Sequence, residues 1–398
     1  MLAFAQSILY SDLSDIPLSN RALAKTVCQR SGRRLGRYVK TAVVAVVLEG
    51  DQLEGSPWQD GRIGLRQAQL AWSQSLACLH TFPHLEHLAI STLYEQDPLD
   101  VEELHNLEPS ALLSVKAMLC MPFFQSLTQL HLTAFGNYNS TFDAFGQLIL
   151  AASHLQALHL SNVEIRPIFE PILSHMEQSP NLSLALSTLW VEDLSAAAHG
   201  TAFIVEDCIQ LLPSLPSVRC FRTGGAWVYF DFLLDVFPEA SSSLPIAIEE
   251  LTMDTSDGTS FASYDYSWLD RLAMYFPALR RLETSIELRH SLPTASAFQK
   301  LQHLIINYPN AEMPIGQHLI DFVMIDNHRP PALSYIQFTV QGLSEGNMRA
   351  WFRRWSEGIK CCRADTAIET FVLACGGYRM TWVKVGCTFR LQSGFMDV

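Results

Sequence analysis

Three histidines, His80, His84 and His87, sit together in the segment HTFPHLEH, and Cys361, Cys362, Cys375 and Cys387 lie near the C-terminus. Both residue types bind zinc, but zinc takes paired ligands at short, closed spacings such as Cys-x-x-Cys, and neither group supplies them. Adjacent Cys361 and Cys362 do not easily turn towards one ion, so no metal and no cofactor is expected. Nucleophilic catalysis would need a Ser or Cys on a sharp turn, as in Gly-x-Ser-x-Gly; Gly342-Leu343-Ser344-Glu345-Gly346 has that spacing, but five residues of this kind between two repeat elements do not by themselves assign a nucleophile. A Gly-rich phosphate loop and a His-Glu-x-x-His helix are absent. Acidic pairs such as Glu102-Glu103 and Glu249-Glu250 read as solvated faces. The residues point away from an enzyme.

They point instead to a repeated element that displays a surface. A frame of apolar-x-x-apolar-x-apolar recurs as LEHLAI at Leu85, LTQLHL at Leu127, LQALHL at Leu155, LSTLWV at Leu186 and VRCFRT at Val218. It continues as IEELTM at Ile248, LRRLET at Leu279, LQHLII at Leu301, LSYIQF at Leu333 and IETFVL at Ile368, and VVAVVL at Val43 is read as opening the series. In a strand successive side chains point to opposite faces. The apolar fourth and sixth positions therefore face a core, and the third, fifth and seventh face outward. Between the frames lie helically spaced segments: Ile165 to Met176 (with Pro171 inside), Ala202 to Leu212, Val228 to Phe237, Tyr266 to Phe276, Gly316 to Ile325 and Asn347 to Ile359. Phe237-Pro238, Phe276-Pro277 and Pro330-Pro331 are read as helix stops.

Each unit is thus a strand, a turn, a helix and a return, too small to bury its own apolar face, whereas stacked units share one core. The expected fold is α/β, a curved strand–helix solenoid of about ten or eleven irregular repeats with strands on its concave face. Residues 1–40 form an N-terminal helical cap and residues 41–398 the solenoid. The polar, turn-rich stretches Gly50 to Gly64 and Glu95 to Pro109 are read as surface loops. The concave positions give the candidate partner-binding residues: His131, His159, Trp190, Glu192, Arg222, Asp254, Arg281 and His303. A Trp and an Arg amid polar neighbours suit a protein-binding hot spot, which puts the contact centre at Trp190–Arg222. The aromatic, basic segment Met348 to Arg363 is read as the outer helix of a late repeat, with Trp351, Phe352 and Trp355 facing the core.

Composition agrees. With 398 residues, 48% hydrophobic and 17% charged, and a mean hydropathy of +0.13, the chain has ample material for a core. No apolar run reaches the roughly 18 residues that a membrane span needs, so no membrane partner is expected. Nine cysteines, an odd number, do not suit a disulfide framework, and a cytoplasmic or nuclear setting follows. A net charge of −13 argues against nucleic acid as a partner. Residues 21–40 run against that balance with seven Lys and Arg and no acid, and are read as a solvated helix face.

The frames resemble degenerate leucine-rich repeats of the long, strand–helix kind. The phrase FAQSILYSDLS, followed by SNRALAK and LGRYVK before the first strand, resembles fungal F-box/leucine-rich-repeat-like proteins. That resemblance implies a protein-binding scaffold, the substrate-recognition part of an SCF-type ubiquitin-ligase receptor. The F-box module itself is not in these residues, since Met1 falls where the segment just after it would begin. A Skp-type adaptor is therefore implied only with an F-box upstream. The alternatives are a free-standing leucine-rich-repeat interaction protein unrelated to ubiquitin, and a hydrolase with a degenerate site. In the family a polar Asn or Cys follows each strand; Leu93, Phe135, Val163 and Leu194 stand there instead, so apolar packing is expected to replace that ladder of side-chain hydrogen bonds.

Overall fold

The computed structural model describes residues 10–14, 18, 26–27, 33–48, 78–94, 121–133, 146, 149–161, 166–178, 184–193, 212–225, 246–253, 272–284, 298–308, 330–340, 345–361, 367–375 and 378–397. The backbone groups into two compact units, residues 1–192 and 193–398. The loops read at 50–64 and 95–109, the positions after the strands at Phe135, Val163 and Leu194, and most of the intervening helical segments lie outside the described residues.

In the first unit six parallel strands follow one another in chain order: β1 (Asp12–Leu13), β2 (Thr41–Leu48), β3 (His87–Tyr94), β4 (Gln129–Thr133), β5 (Ala157–Ser161) and β6 (Thr188–Asp193). Strands β3–β6 each coincide with a frame, and the alternation holds. Leu130 and Leu132, Leu158 and Leu160, and Leu189 and Val191 are buried, while the fifth positions His131, His159 and Trp190 are only partly covered.

The opening frame is displaced. Thr41 pairs with His87, a third position, so the frame of β2 begins at buried Val39 and not at Val43. The shift of four residues keeps the even-numbered side chains inward, with Ala42 and Val44 buried; the unbroken apolar run from Ala42 to Leu48 offers a frame at either start. Helix α1 (Arg33–Gly36) leads into β2. Helix α2 (Arg166–Gln178) follows β5 and buries Ile168, Phe169 and Ile172. It runs for 13 residues with Pro171 in its interior, although proline inside a helix removes a backbone hydrogen bond. Gly146 packs against it so closely that a Cβ would lie 2.8 Å from the Ile168 carbonyl oxygen.

The second unit continues the pattern with parallel strands β7 (Cys220–Gly225), β8 (Glu250–Met253), β9 (Arg281–Thr284), β10 (His303–Tyr308), β11 (Tyr335–Val340) and β12 (Thr370–Cys375). The frames VRCFRT and LRRLET carry Thr where an aliphatic residue is expected, and Thr223 and Thr284 are nonetheless buried. The repeat then ends. Strands β13 (Tyr378–Val385) and β14 (Thr388–Asp397) run antiparallel to their neighbours. Gly386 and Cys387 make the two-residue turn between them, with Gly386 at φ +64, which non-glycine residues avoid. Helix α3 (Glu345–Cys361) buries Met348, Phe352, Trp355 and Ile359 at helical spacing. Trp355 meets Phe338 at 5.3 Å and Phe371 at 5.7 Å between ring centres, and Phe371 continues to Trp382 at 6.1 Å.

Two backbone devices set the repeat. The carbonyl at the second frame position accepts hydrogen bonds from the N–H groups of the second and third positions of the next repeat. Lys40, Glu86, Thr128 and Gln156 do this in the first unit, and Arg219, Glu249, Arg280, Gln302 and Ser334 in the second, all at 2.7–3.0 Å. The chain also enters several strands through a tight turn in which the first frame residue donates to the carbonyl three positions back. Leu155 to Ala152, Val218 to Leu215, Leu279 to Phe276 and Leu333 to Pro330 are bonded so, at 2.9–3.1 Å. Pro216, Pro277 and Pro331 therefore occupy the second position of a turn, where their fixed φ is favourable. For Pro277 and Pro331 this is a more specific role than stopping a helix.

Candidate functional site

The repeat register brings four of the eight candidate residues together in the first unit. His131 pairs with His159 and His159 with Trp190 along adjacent strands. Neighbouring strands lie about 4.8 Å apart, so flat side chains at one register can stack. They do: His131 and His159 lie 3.7 Å apart at 12°, and His159 and Trp190 4.0 Å apart at 5°. Two residues on, Glu192 completes the group. Its Oε2 lies 3.2 Å from His159 Nε2 and accepts a hydrogen bond from the buried Ser161 hydroxyl at 2.9 Å. The approach to His159 is an ion-pair distance without hydrogen-bond alignment, which leaves that buried nitrogen without a hydrogen-bond partner. His131 Nε2 shares a hydrogen bond of 2.9 Å with Thr133 Oγ1.

Burial controls the electrostatics. It lowers the pKa of His131 to about 4, with repulsion from His159 adding to the shift and Glu192 opposing it. Burial also lowers His159 to about 4. Both rings are neutral at pH 7. An imidazole of so low a pKa is a poor general base at neutral pH, so the hydroxyls of Thr133 and Ser161 are hydrogen-bonded without being activated. What the arrangement offers is a rigid, polarizable row of rings edged by a carboxylate.

The other four candidates do not join this group. Arg222, exposed on β7, pairs in register with Thr252, and Asp254 lies outside the described residues. Arg281 and His303 stand side by side on β9 and β10. Arg281 Nη2 contacts Glu283 Oε2 at 3.1 Å, and Asn307 donates to Glu283 Oε1 at 3.2 Å. His303 meets Tyr335 edge-on, with ring centres 5.4 Å apart.

Sequence reasoning missed the chain of hydrogen bonds beyond that point. The Tyr335 hydroxyl donates to Gln337 Oε1 at 2.7 Å, Gln337 Nε2 donates to Thr339 Oγ1 at 3.1 Å, and Arg379 Nη2 reaches the Tyr335 hydroxyl at 3.4 Å. Burial raises the Tyr335 pKa, with Arg379 pulling against it. Tyr335 and Gln337 occupy the third and fifth positions of LSYIQF, so the rule that selected Trp190 also selects them. Arg379 carried no such signal, because it lies on an antiparallel strand outside the repeat. Two fifth positions, Ile305 and Val372, are buried.

Among the described residues no three His, Cys, Asp or Glu side chains are brought into metal-binding proximity. His80 and His84 lie exposed in the turn before β3. Among the same residues no helix is long and apolar enough to cross a membrane.

Neither a family model nor a curated protein matches the chain. Among solved structures, the leucine-rich repeat-containing protein LegL7 from Legionella pneumophila aligns over 84% of this chain and 90% of its own, at 12% identity and a TM-score of 0.43. The parallel strands in frame register make the fold of this chain leucine-rich-repeat-like on their own evidence.

Proposed function

We propose that the chain is a protein-binding scaffold that holds its partner on the outward positions of its strands, with His131, His159, Trp190 and Glu192 as the contact centre. The observation that carries this reading is the stack of three rings at one register on a partly exposed face. Such a face is already ordered, so a partner meets it with little further loss of side-chain freedom. Tryptophan is a favoured residue at the centre of protein interfaces. The hydrogen-bonded row at Arg281, Glu283 and Asn307 and the Tyr335–Gln337 pair form a second, polar contact region on the other unit.

A finer reading takes the partner to be a substrate presented to a ubiquitin ligase. The N-terminal phrase FAQSILYSDLS supports it, and it requires an adaptor-docking module upstream of this chain. The odd number of cysteines, nine, and the thiols of Cys220 and Cys387 accord with a cytoplasmic or nuclear setting. The test is affinity capture from source cells with wild type, Trp190→Ala and, as a surface control, Met274→Ala. A protein retained by wild type and by the control, and reduced about tenfold or more by Trp190→Ala, is the expected result. Equal retention by all three overturns the assignment.

A further inference from the structure

The row of rings stops one strand short, and the gap has the shape of a binding slot. The residue beside His131 in register is Ala89 on β3, and beside Ala89 is Val43 on β2. His131 is stacked nearly parallel on His159. Its opposite ring face is therefore turned along the row, over the small side chain of Ala89. The backbones of β2 and β4 are two strand spacings apart, roughly 9.5 Å. That is room for one planar group and its two van der Waals gaps, judged by the 3.7 and 4.0 Å separations within the row itself. Among the described residues, His131 makes one ring contact, to His159, and its hydrogen bond goes to Thr133.

Charge indicates which planar group belongs there. At the third, fifth and seventh positions of β2–β6 there is no Lys or Arg and one acid, Glu192, and Asp12 stands in register on the neighbouring β1. Asp12 stays ionised, its carboxyl held below the usual range chiefly by the Ser14 backbone N–H, and it lies within electrostatic reach of His87, two residues before Ala89. Lys40, which leads into β2, is engaged with Glu86 at 2.6 Å. The whole chain carries a net charge of −13. A neutral imidazole face beside an acidic surface suits a flat cation. Of the two side chains that are fully cationic at neutral pH, arginine presents a guanidinium that stacks as a plane, which the ammonium of lysine does not.

We infer that the slot over Ala89, walled by His131 and Val43, takes the guanidinium of an arginine presented by a basic segment of the partner. The inference rests on the docking reading above and adds the chemistry of one contact.

The test follows the His131 imidazole by NMR in the full chain, titrated with the blocked amides of arginine, lysine, citrulline and tryptophan. Arginine amide shifts the His131 signal saturably, and the other three bind at least about threefold more weakly. Ala89→Leu, which fills the slot, and Val43→Lys, which places a cation on its wall, each remove the arginine response while the thermal melt stays cooperative. An unmoved His131 signal, an arginine response that survives in both variants, or tryptophan or citrulline amide binding as tightly as arginine would overturn the slot. Partner capture separates the two readings. Capture lost with Trp190→Ala but kept with both slot variants sinks the arginine contact alone. Capture kept by all three variants sinks the docking reading as well.

Discussion

The two units display their outward residues differently. In the first, identical register places flat side chains over one another, and contact is made between rings: His131, His159, Trp190. In the second, the corresponding rows hold charged and amide side chains that bond to one another: Arg281 with Glu283, Asn307 with Glu283, Tyr335 with Gln337. Strand geometry is the same in both, so the contrast comes from residue type alone. A row of rings leaves ring faces and one carboxylate to offer, whereas a row of paired charges has already met much of its own demand.

The largest expected effect compares two tryptophans. Trp355 is 1% exposed and sits among Phe338 and Phe371. Trp355→Ala should cost about 3–5 kcal/mol in a denaturant titration. Trp190 stacks on one histidine at a partly exposed face, and Trp190→Ala should cost about 1 kcal/mol. Equal costs would mean that Trp190 belongs to the core and not to a display surface.

Acid should separate the units next. His131 and His159 have folded-state pKa values of about 4, against 6.5 in an unfolded chain. Between pH 6.5 and 4 the unfolded state takes up protons that the folded state refuses, so stability falls across that window and levels off below it. Allowing for the hydrated part of each ring, the loss is on the order of 1 kcal/mol per histidine. Hydrogen exchange should show the loss in β4–β6 and spare β9–β11. A double change of His131 and His159 to Phe should flatten the profile, and uniform loss across both units would refute the local origin.

The smallest test uses two buried hydroxyls. Ser161 donates to Glu192, while Thr223 Oγ1 is buried with no hydrogen-bond partner. Thr223→Val should stabilise the chain by about 1 kcal/mol, and Ser161→Ala should destabilise it by a similar amount, since one change removes an unmet hydroxyl and the other strands a carboxylate oxygen. Opposite signs sharpen the contrast between the units; equal signs break it.

Much of the fold was legible because two periods coincide. The sixfold apolar frame gave strands β3–β12 and their inward residues, even where Thr223 and Thr284 weakened the pattern. It opened the frame of β2 four residues late, at Val43 and not Val39, because the unbroken apolar run Ala42 to Leu48 fits the frame at either start. It also missed the hairpin of β13 and β14, whose signal is strict alternation about Gly386-Cys387 and not a repeat. For the candidate site, the frame marked the outward positions and so placed His131, His159 and Trp190 as neighbours. That the rings stack, that Glu192 is shared with Ser161, and that Ala89 ends the row depend on inter-strand register, which one strand's sequence does not encode.

The carbonyl ladder at the second frame position bears on how such a chain can change through time. Lys40, Glu86, Thr128 and Gln156 accept the same pair of hydrogen bonds, although they share no side-chain chemistry. The bond belongs to atoms that every residue carries, so substitution there is invisible to it, unless proline removes a donor. Pitch is thereby inherited separately from wording. Each repeat is free to drift in its outward letters, and a lineage can rewrite what the surface recognises one strand at a time without renegotiating the scaffold.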